Sequence, residues 1–440
     1  MDAWRFGPPG SVGSWHVKIL VVGSGAREHA ITRALTTEST PHEVLVAPGN
    51  PGTAQVATNV PVDPLDPQAV AALAVERGVD LVVVGPEAPL VAGVADAVRA
   101  AGVPCFGPDA AAARLEGSKA FAKEVMAAAE VPTAMAYVCT TPEEVEEALD
   151  AFGAPYVVKD DGLAAGKGVV VTEDRDAALA HARACLARTV TPGGERPAVV
   201  VEEYLDGPEV SLFCVCDGTD AVPLAPAQDF KRLGDGDAGP NTGGMGAYSP
   251  LPWAPENLVD EVMERVARPV VREMARRGTP FTGVLYVGLA LTSRGVRVIE
   301  FNARFGDPET QVVLARLGSS LAQLLRAAAT GTLAEAPSPT WRDASAVTVV
   351  LASHGYPGVS RTGDVVEGVA AAEELPGVHV LQAGCATSVD GALVSAGGRV
   401  LSVVGVGADQ EEARARAYAG VERITLDGSQ HRTDIAQARS

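Results

Sequence analysis

The first hundred residues alternate apolar strands with helix-forming segments, and no other feature limits the possible fold as much. Buried-strand runs occupy Lys18–Val22, Glu43–Ala47 and Asp80–Val84, and helical patterns lie near 67–77 and 90–101. Strands that alternate with helices build a parallel sheet covered on both faces. We therefore predict a doubly wound α/β region over residues 18–116.

In such a sheet, ligands bind at the loops that follow the carboxyl ends of the strands. Gly23 and Gly25 follow the first strand and would let the backbone approach a phosphate at a helix N-terminus. A dinucleotide is the competing ligand, but Glu28 stands where its third glycine is expected, and Ala47, not an acid, ends the second strand. We favour a phosphate-bearing substrate, with a nicotinamide-dependent oxidoreductase as the alternative from another class.

A glycine-rich segment at 160–168 separates two predicted strands, Pro155–Lys159 and Val169–Thr172. The N–H groups of such a hairpin, flanked by lysines, can fold over nucleotide phosphates. It lacks the Gly-Lys-Ser/Thr ending of a Walker loop, and an ordinary surface hairpin is the alternative. Downstream, 199–205 followed by 209–211 is interpreted as a strand with acids at its end, which can offer backbone groups to an adenine and a carboxylate to a ribose.

The ten residues from Glu300 to Glu309 carry the strongest chemical signal. Residues 295–299 alternate as a strand, so Glu300 and Asn302 can share a face. Two hard oxygen ligands followed by Arg304 suit a divalent metal that holds a polyphosphate. A strand edge and a turn would explain Glu-x-Asn alone, but Asp307 and Glu309 in the same few positions favour the metal site.

Composition narrows the class of protein. The 440 residues are 47% hydrophobic and suit two to four domains, and the net charge of −20 argues against a nucleic-acid or anionic-membrane surface. No apolar run approaches a membrane span. Six cysteines without zinc-type spacing fit core packing in a reducing cytoplasm. The chain has only six lysines, and at least three of them lie in glycine-rich or turn-rich segments.

Local signals predict further elements. Ser118 is a plausible helix cap, and Thr141 begins a capping box with proline at the first helical position. Residues 256–277 form an amphipathic helical pattern that Pro269 is expected to kink. From about residue 337 the pattern changes to short strands followed by a helix at 408–423, which predicts a small α+β domain. His354 is interpreted as a turn residue.

Three segments carry a family resemblance: Val157–Gly168, Gly239–Pro250 and Arg304–Gln311. They closely resemble phosphoribosylamine–glycine ligase, an ATP-grasp enzyme of purine biosynthesis, and the similarity runs from about Lys18 to about Ile424. The resemblance implies a cytoplasmic ligase that uses ATP with Mg²⁺ or Mn²⁺. It would join glycine to 5-phosphoribosylamine through glycyl phosphate, releasing ADP and phosphate.

The resemblance also implies a domain order. We expect a disordered extension at 1–17, a substrate-binding α/β domain at 18–116, an ATP-grasp region at 117–336 with a mobile lid at 135–201, and an α+β domain at 337–435. The partners are expected to be small molecules, without nucleic acid or membrane. A transient contact with the preceding pathway enzyme and a monomeric state are further expectations.

By position, the resemblance distributes roles among the motifs. For catalysis it implies Arg304, Lys167 and Asp307. For ATP it implies Lys119, Lys159, Gly162, Gly166, Gly168, Glu202, Glu203, Tyr204, Leu205 and Glu209. For phosphoribosylamine and the acceptor side it implies Gly23, Gly25, Arg27, Asn50, Glu87, Asp229, Lys231 and Asn241. For the metal it implies Glu300 and Asn302.

The chain departs from the family pattern at three places. No acid lies between Phe281 and Gly295, where many ATP-grasp enzymes place a metal ligand, so Asp229 or the phosphates would supply the missing contact. Phe230 stands where the family usually has histidine, and Asp160 replaces a usual alanine and is expected to face solvent. Another purine-pathway carboxylate ligase or a formate-dependent transformylase is the alternative within the same chemistry, disfavoured by 304–309 and the Gly-Gly-Met-Gly loop.

Overall fold

The computed structural model describes residues 16–162, 168–188 and 197–437. The predicted extension at 1–17 therefore lies almost wholly outside the described residues, as do Gly166 and Lys167.

The N-terminal region is the predicted parallel sheet with helices. Its strands, in spatial order, are Thr58–Asn59, Glu43–Pro48, Lys18–Gly23, Leu81–Val84 and Cys105–Phe106. Its helices are Ala26–Thr36, Thr53–Val56, Pro67–Glu76, Glu87–Val91, Val94–Ala100 and Ala110–Gly117. The strand order reverses direction between the first strand and Leu81–Val84, so the loops after these two strands border the ligand crevice.

A four-stranded antiparallel sheet with two helices forms a separate layer within the predicted lid. Its strands, in spatial order, are Ala136–Cys139, Val199–Glu202, Tyr156–Asp160 and Val169–Thr172. Its helices, Pro142–Phe152 and Arg175–Leu186, bury Leu149 and Leu179 in a core of their own. The capping box at Thr141 and the cap at Ser118, which begins helix Lys119–Ala128, are confirmed. The mobility of this layer stays a prediction.

The central sheet is antiparallel, and the strand predicted to hold the metal lies at its edge. Its strands, in spatial order, are Ala221–Pro223, Glu209–Asp217, Thr282–Thr292 and Gly295–Asn302. Helical segments Leu258–Val262, Met263–Ala267 and Arg268–Arg276 follow one another, and the middle one is a π-helical turn that ends two residues before Pro269. That turn is the local irregularity expected near a proline, which lacks the N–H of a regular helix.

The C-terminal sheet includes strands from the middle of the chain. Its strands, in spatial order, are Gln228–Asp229, Gly246–Ser249, Ser345–Ala352, Arg399–Gly407 and Val378–Gln382. Helix Gln410–Val421 packs on strand Arg399–Gly407. The segment around residue 229, which is predicted for the acceptor side, is thus joined to the C-terminal region by backbone hydrogen bonds.

Shorter elements complete the described chain. Paired strands are Arg232–Gly234 with Ala238–Asn241, Val366–Glu367 with Thr425–Leu426, and Cys385–Thr387 with Leu393–Ser395. The remaining helices are Asp235–Asp237, Glu309–Arg316, Leu321–Ala329, Leu333–Glu335 and Val369–Glu373. All six cysteines are buried free thiols, as expected, and His354 lies in an exposed turn. Among the described residues, no helix combines the length and apolarity needed to span a bilayer.

Candidate active site

A cavity of about 910 Å³ lies between the N-terminal region, the lid sheet, the central sheet and the hairpin that follows Lys231. Most of the described residues that the sequence predicted for the site line it. They are Arg27, Glu87, Lys119, Lys159, Gly162, Gly168, Glu202, Glu203, Tyr204, Leu205, Glu209, Asp229, Lys231, Asn241, Glu300, Asn302, Arg304 and Asp307. Gly23, Gly25 and Asn50 are outside this lining, and Gly166 and Lys167 belong to the residues not described.

One end of the cavity is a lysine-rich pocket beneath the lid sheet. Lys159 Nζ lies 2.8 Å from Glu202 Oε2 and donates to the Ile299 carbonyl at 3.1 Å. Lys123, which sequence reasoning left out of the site, lies 3.1 Å from Glu202 Oε1. The carboxylate of Glu202 therefore pairs with two ammonium groups. The Glu203 N–H already donates to the Met135 carbonyl at 3.0 Å, so a planar ring at 203–205 would use the other backbone groups of this segment.

Glu300 and Asn302 lie at the end of the edge strand, and both face the cavity as strand alternation predicted. Burial alone would raise the pKa of Glu300, yet surrounding positive charges hold that pKa below its usual value. In decreasing order of effect these charges belong to Lys231, Lys119, Lys159 and Arg304. A carboxylate kept ionised among cations is suited to bind a hard divalent cation together with phosphate oxygens.

The donor set fits a metal that takes most of its ligands from elsewhere. Gly288 pairs with Glu300 across the sheet, in the acid-free strand noted above. Among the residues that the structure describes, no three His, Cys, Asp or Glu side chains converge closely enough to enclose a metal. Glu300 and Asn302 would therefore supply two oxygens and leave the remaining positions to phosphates and water, as Mg²⁺ commonly requires.

The loop after this strand is held by arginines from three parts of the chain. Arg27 Nη1 and Arg304 Nη1 both donate to the Phe305 carbonyl, at 3.0 and 3.2 Å. Arg399 Nη1 donates to the Asp307 carbonyl at 2.7 Å and lies 3.4 Å from its side-chain Oδ1. Burial raises the pKa of Asp307, but Arg399 and Arg27 outweigh it and hold that pKa below its usual value.

Arg304 is enclosed by two carboxylates. Its Nη2 donates to Glu116 Oε1 at 2.8 Å, and its Nε lies 3.3 Å from Glu87 Oε2. The other oxygen of Glu116 accepts the Ala303 N–H at 2.7 Å. Burial raises the pKa of Glu116 despite Arg304, whereas Arg304 and Arg27 lower the pKa of Glu87 against the effect of its burial. Glu116 thus fixes both the guanidinium and the backbone beside it.

The side of the cavity that the sequence predicts for the acceptor substrate groups Asp229, Lys231 and Glu209. Lys231 Nζ forms an ion pair with Glu209 and lies 3.8 Å from Asp229 Oδ1. Burial raises the pKa of Asp229 to about 7, although Lys231 opposes this effect. Behind them, Glu309 Oε1 accepts hydrogen bonds from Tyr286 and Ser211 at 2.8 and 3.0 Å.

The glycine loop after the first strand encloses a side chain of its own. Glu28 is 1% exposed, and its carboxylate accepts the Gly25 N–H at 2.5 Å and lies 2.6 Å from Arg27 Nε. A Cβ on Gly23 would lie 2.6 Å from Glu28 Cγ. This close approach accounts for a glycine at position 23 even if no ligand binds there. The predicted phosphate contacts of Gly23 and Gly25 stay predictions. A carboxylate at this helix N-terminus also disfavours a dinucleotide, whose pyrophosphate would occupy the same place.

Asn50 and Asp160 differ from their expected settings. The Asn50 amide donates to the Ser24 and Gln382 carbonyls, both at 2.8 Å, and its Oδ1 accepts the Gly52 and Thr53 N–H groups, both at 2.9 Å. Its side chain therefore shapes the loop, and contact with a ligand stays a prediction. The expectation that Asp160 faces solvent is wrong, because it is 5% exposed and lies 2.7 Å from Arg188 Nη1.

Sequence reasoning missed Glu116, Arg399, Lys123 and Glu28 as parts of the site. Lys123 had a weak signal, because lysine is rare in this chain and this one lies one helical turn after Lys119. Glu116 and Arg399 had none, since each meets the 303–308 loop from about 90 to 190 residues away in the chain.

This architecture and this cavity define an ATP-grasp enzyme. Models of phosphoribosylglycinamide synthetase match the chain in three successive parts: the N domain at 17–116, the ATP-grasp (A) domain at 117–310 and the C domain at 346–438. The chain belongs to the phosphoribosylglycinamide synthetase family, as the resemblance of its motifs predicted.

Individual proteins of known name are similar to this chain over nearly its whole length. The phosphoribosylamine–glycine ligase of Streptomyces coelicolor is 66% identical over 422 residues, which cover 96% of this chain and 99% of that protein. That of Leifsonia xyli is 60% identical, with coverages of 96% and 99%. The crystal structure of the Thermotoga maritima ligase has a TM-score of 0.82 at 33% identity, covering 95% of this chain and all 100% of that one.

A more distant structural match shows the fold alone. The biotin carboxylase domain of Hydrogenobacter thermophilus 2-oxoglutarate carboxylase, solved with MgADP and bicarbonate, has a TM-score of 0.71 at 17% identity. The match covers 94% of this chain and 91% of that one.

Glu116→Gln tests the ion pair that holds the Arg304 guanidinium in place. The change keeps the size of the side chain and removes one charged partner of Arg304, an interaction of roughly 1.5–3 kcal/mol. We expect kcat of the ligase to fall about 10- to 150-fold with little change in KM for ATP. Glu124→Gln, on the exposed face of the following helix, is the matched control. An unchanged kcat in a folded Glu116→Gln protein would contradict this role.

Proposed function

We propose that this chain ligates glycine to 5-phosphoribosylamine through glycyl phosphate, as an ATP-grasp ligase. Glycine would attack the γ-phosphate of ATP with a carboxylate oxygen, and ADP would leave. The amine of phosphoribosylamine would then attack the glycyl carbonyl, lose a proton and expel phosphate. The product is N1-(5-phospho-D-ribosyl)glycinamide of purine biosynthesis.

The observation that carries this proposal is the position of Glu300 among four cations of one cavity. Lys119 and Lys159 lie beside the lid sheet, and Lys231 lies on the acceptor side. Arg304 forms ion pairs with two carboxylates of the N-terminal region. A site that must hold ATP, a carboxylate and a phosphorylated amine at once needs positive charge on several sides of one reaction centre.

At the nucleotide end, Lys119 and Lys159 would bind the α- and β-phosphates, with the 161–168 segment over the γ-phosphate. The backbone of 202–205 would hold adenine, and Glu209 the ribose. Glu300 and Asn302 would hold Mg²⁺ or Mn²⁺, which would neutralise charge that develops on the phosphates. The protein's part is to position these groups in line with the glycine carboxylate.

At the other end, Arg304 would bind the transferred phosphoryl group or the glycyl carboxylate. Arg27 and Glu87 lie beside Arg304, so phosphoribosylamine would approach from the N-terminal region. Glu87 keeps a lowered pKa and is therefore ionised at neutral pH, ready to orient an amine. Asp229, Lys231 and Asn241 would close the acceptor side.

Three finer features belong to the same proposal. The metal is Mg²⁺ or Mn²⁺, the enzyme works in the cytoplasm, and it acts as a monomer that meets the preceding pathway enzyme only transiently. The six buried free thiols support a reducing compartment.

Transfer of an isotope from glycine tests the chemistry. With both carboxylate oxygens of glycine labelled as ¹⁸O, expulsion of phosphate from glycyl phosphate carries one glycine oxygen into the phosphate product. We expect one ¹⁸O per phosphate, measured by mass spectrometry, and none when unlabelled glycine in ¹⁸O-water is used. Phosphate labelled by water instead would mean that ATP is hydrolysed directly, and the proposal would fail.

Glu300→Gln tests the metal assignment. The change preserves size and removes a charge that helps to hold the metal and its phosphates, so kcat should fall roughly 10²-fold or more. Folding should survive, because Glu300 lies at the cavity wall. Glu264→Gln, on an exposed helical face, is the control and should match the parent enzyme. Near-normal turnover of Glu300→Gln at saturating Mg²⁺ would refute the assignment.

Arg27→Ala separates the two ends of the cavity. Loss of a charge-assisted contact to phosphate should weaken phosphoribosylamine binding about 10- to 150-fold. Loss of the Arg27 hydrogen bond to the Phe305 carbonyl should also loosen the 304–308 loop, so ATP affinity should fall by a clearly smaller factor. Arg77→Ala, half exposed at the end of helix Pro67–Glu76, is the control from the same region. Direct titration with ATP and steady-state kinetics in phosphoribosylamine measure the two effects. An equal loss of ATP affinity would mean that phosphoribosylamine has been assigned to the wrong end of the cavity.

A further inference from the structure

The end of the described chain crosses the acceptor-side hairpin, residues 232–241, and buries an arginine there. Arg432 is only 1% exposed. Its Nη1 donates to Asp237 Oδ1 at 2.8 Å and to the Arg232 carbonyl at 3.2 Å. Both acceptors belong to the hairpin, so one side chain holds its first strand and its tip.

The residues after Arg432 extend this contact. Asp434 accepts two hydrogen bonds from the Arg432 guanidinium, at 2.7 and 2.6 Å, and a third from the Gly236 N–H at 2.9 Å. The Thr433 N–H donates to Asp235 Oδ1 at 2.8 Å. The 432–434 segment therefore bonds to every part of the hairpin tip, through charged partners that make such bonds stronger than neutral ones.

Phe230 completes the contact at the base of the hairpin. The Arg432 guanidinium carbon lies 4.9 Å from the centre of its ring, within the range of a cation–π interaction. Phe230 replaces the histidine expected from the family pattern, and a phenyl face provides this platform without bringing in a second titratable cation.

The C-terminal segment is itself firmly anchored. Tyr418 on helix Gln410–Val421 donates to the Arg432 carbonyl at 2.9 Å and accepts the Ile435 N–H at 3.1 Å. Arg414 on the same helix donates to the Ile435 carbonyl at 3.0 Å. The hairpin is thus connected through Arg432 to a helix of the C-terminal region.

The hairpin bears on the reaction because it lines the cavity. Lys231, Asp237 and Asn241 all contribute to the cavity wall, and the hairpin is otherwise a two-stranded pair with little burial. An isolated two-stranded pair is marginal in water, so an external contact must fix its position. We propose that Arg432 is a positioning residue that sets this hairpin, and with it the binding of the non-nucleotide substrates. This inference rests on the proposed function for its kinetic consequence alone.

Three variants test the role of Arg432. Asp237→Asn removes the charge from a side chain that is 65% exposed, so the fold should survive. Arg432→Lys keeps the positive charge but loses the planar guanidinium that donates to several acceptors at once. Phe230→Leu removes the aromatic ring beneath the guanidinium. Arg361→Ala is the matched control, because Arg361 forms comparable ion pairs with Asp364 and Asp427 in the same region, away from the cavity.

The first readout is kinetic. We expect Asp237→Asn and Arg432→Lys to raise KM for glycine or phosphoribosylamine by roughly 10-fold or more, and Phe230→Leu by a smaller factor, while KM for ATP stays within about twofold. Arg361→Ala should match the parent enzyme in all three. Unchanged KM values in folded variants, or an equal rise for all three substrates, would overturn the inference.

The second readout needs no activity. Hydrogen exchange at 232–241 should quicken in Asp237→Asn and Arg432→Lys, with no change in strand Lys18–Gly23 and none at 232–241 in Arg361→Ala. Unaltered exchange at 232–241 would overturn the positioning role even if the proposed function stands. Absence of ligation by the parent enzyme would instead overturn the proposed function, and exchange would still decide the role of Arg432.

Discussion

Three guanidinium groups converge on the backbone of the loop at 304–308, and the site depends on this convergence. Arg27 comes from the N-terminal region, Arg304 from the loop itself and Arg399 from the C-terminal sheet, and they donate to the carbonyls of Phe305 and Asp307. Each hydrogen bond is charge-assisted and at least partly buried, so losing a donor would weaken the hold on the loop, and losing Arg399 would leave the Asp307 carbonyl without that charged donor. The loop thus brings together three parts of the chain that are far apart in sequence and sets the orientation of the groups that follow Glu300.

Such a concentration of buried charge is costly unless each ion has partners. Glu116 and Glu87 balance Arg304, Glu202 balances Lys159 and Lys123, and Glu209 and Asp229 balance Lys231. Substrate anions would replace some of these carboxylates as partners of the same cations. The pairing therefore keeps the cavity charged and preorganised, which is the main protein contribution to phosphoryl and acyl transfer.

The sequence predicted what depends on local pattern. Alternation placed Glu300 and Asn302 on one face of a strand, and the capping signals at Ser118 and Thr141 marked helix starts correctly. Contacts between distant segments were not predictable, because nothing near Glu116 or Arg399 distinguishes them from ordinary surface charges. The burial of Asp160 was not predicted, because its partner Arg188 lies 28 residues later, beyond the end of helix Arg175–Leu186. The pairing of Gln228–Asp229 with strands of the C-terminal sheet was not predicted either, because it joins distant segments. Glycines after the first strand suggested a phosphate, and that contact stays a prediction, while the Glu28 carboxylate that accepts the Gly25 N–H was not foreseen.

The most direct test of the account is the dependence of ADP release on the two other substrates. ADP should be measured in the presence of ATP with glycine alone, with phosphoribosylamine alone and with both together. The account predicts sustained ADP release only when both are present, with one phosphate formed per ligated product, because the glycyl phosphate must be intercepted by the amine. Equal release with glycine absent, or with a different carboxylate in its place, would contradict it.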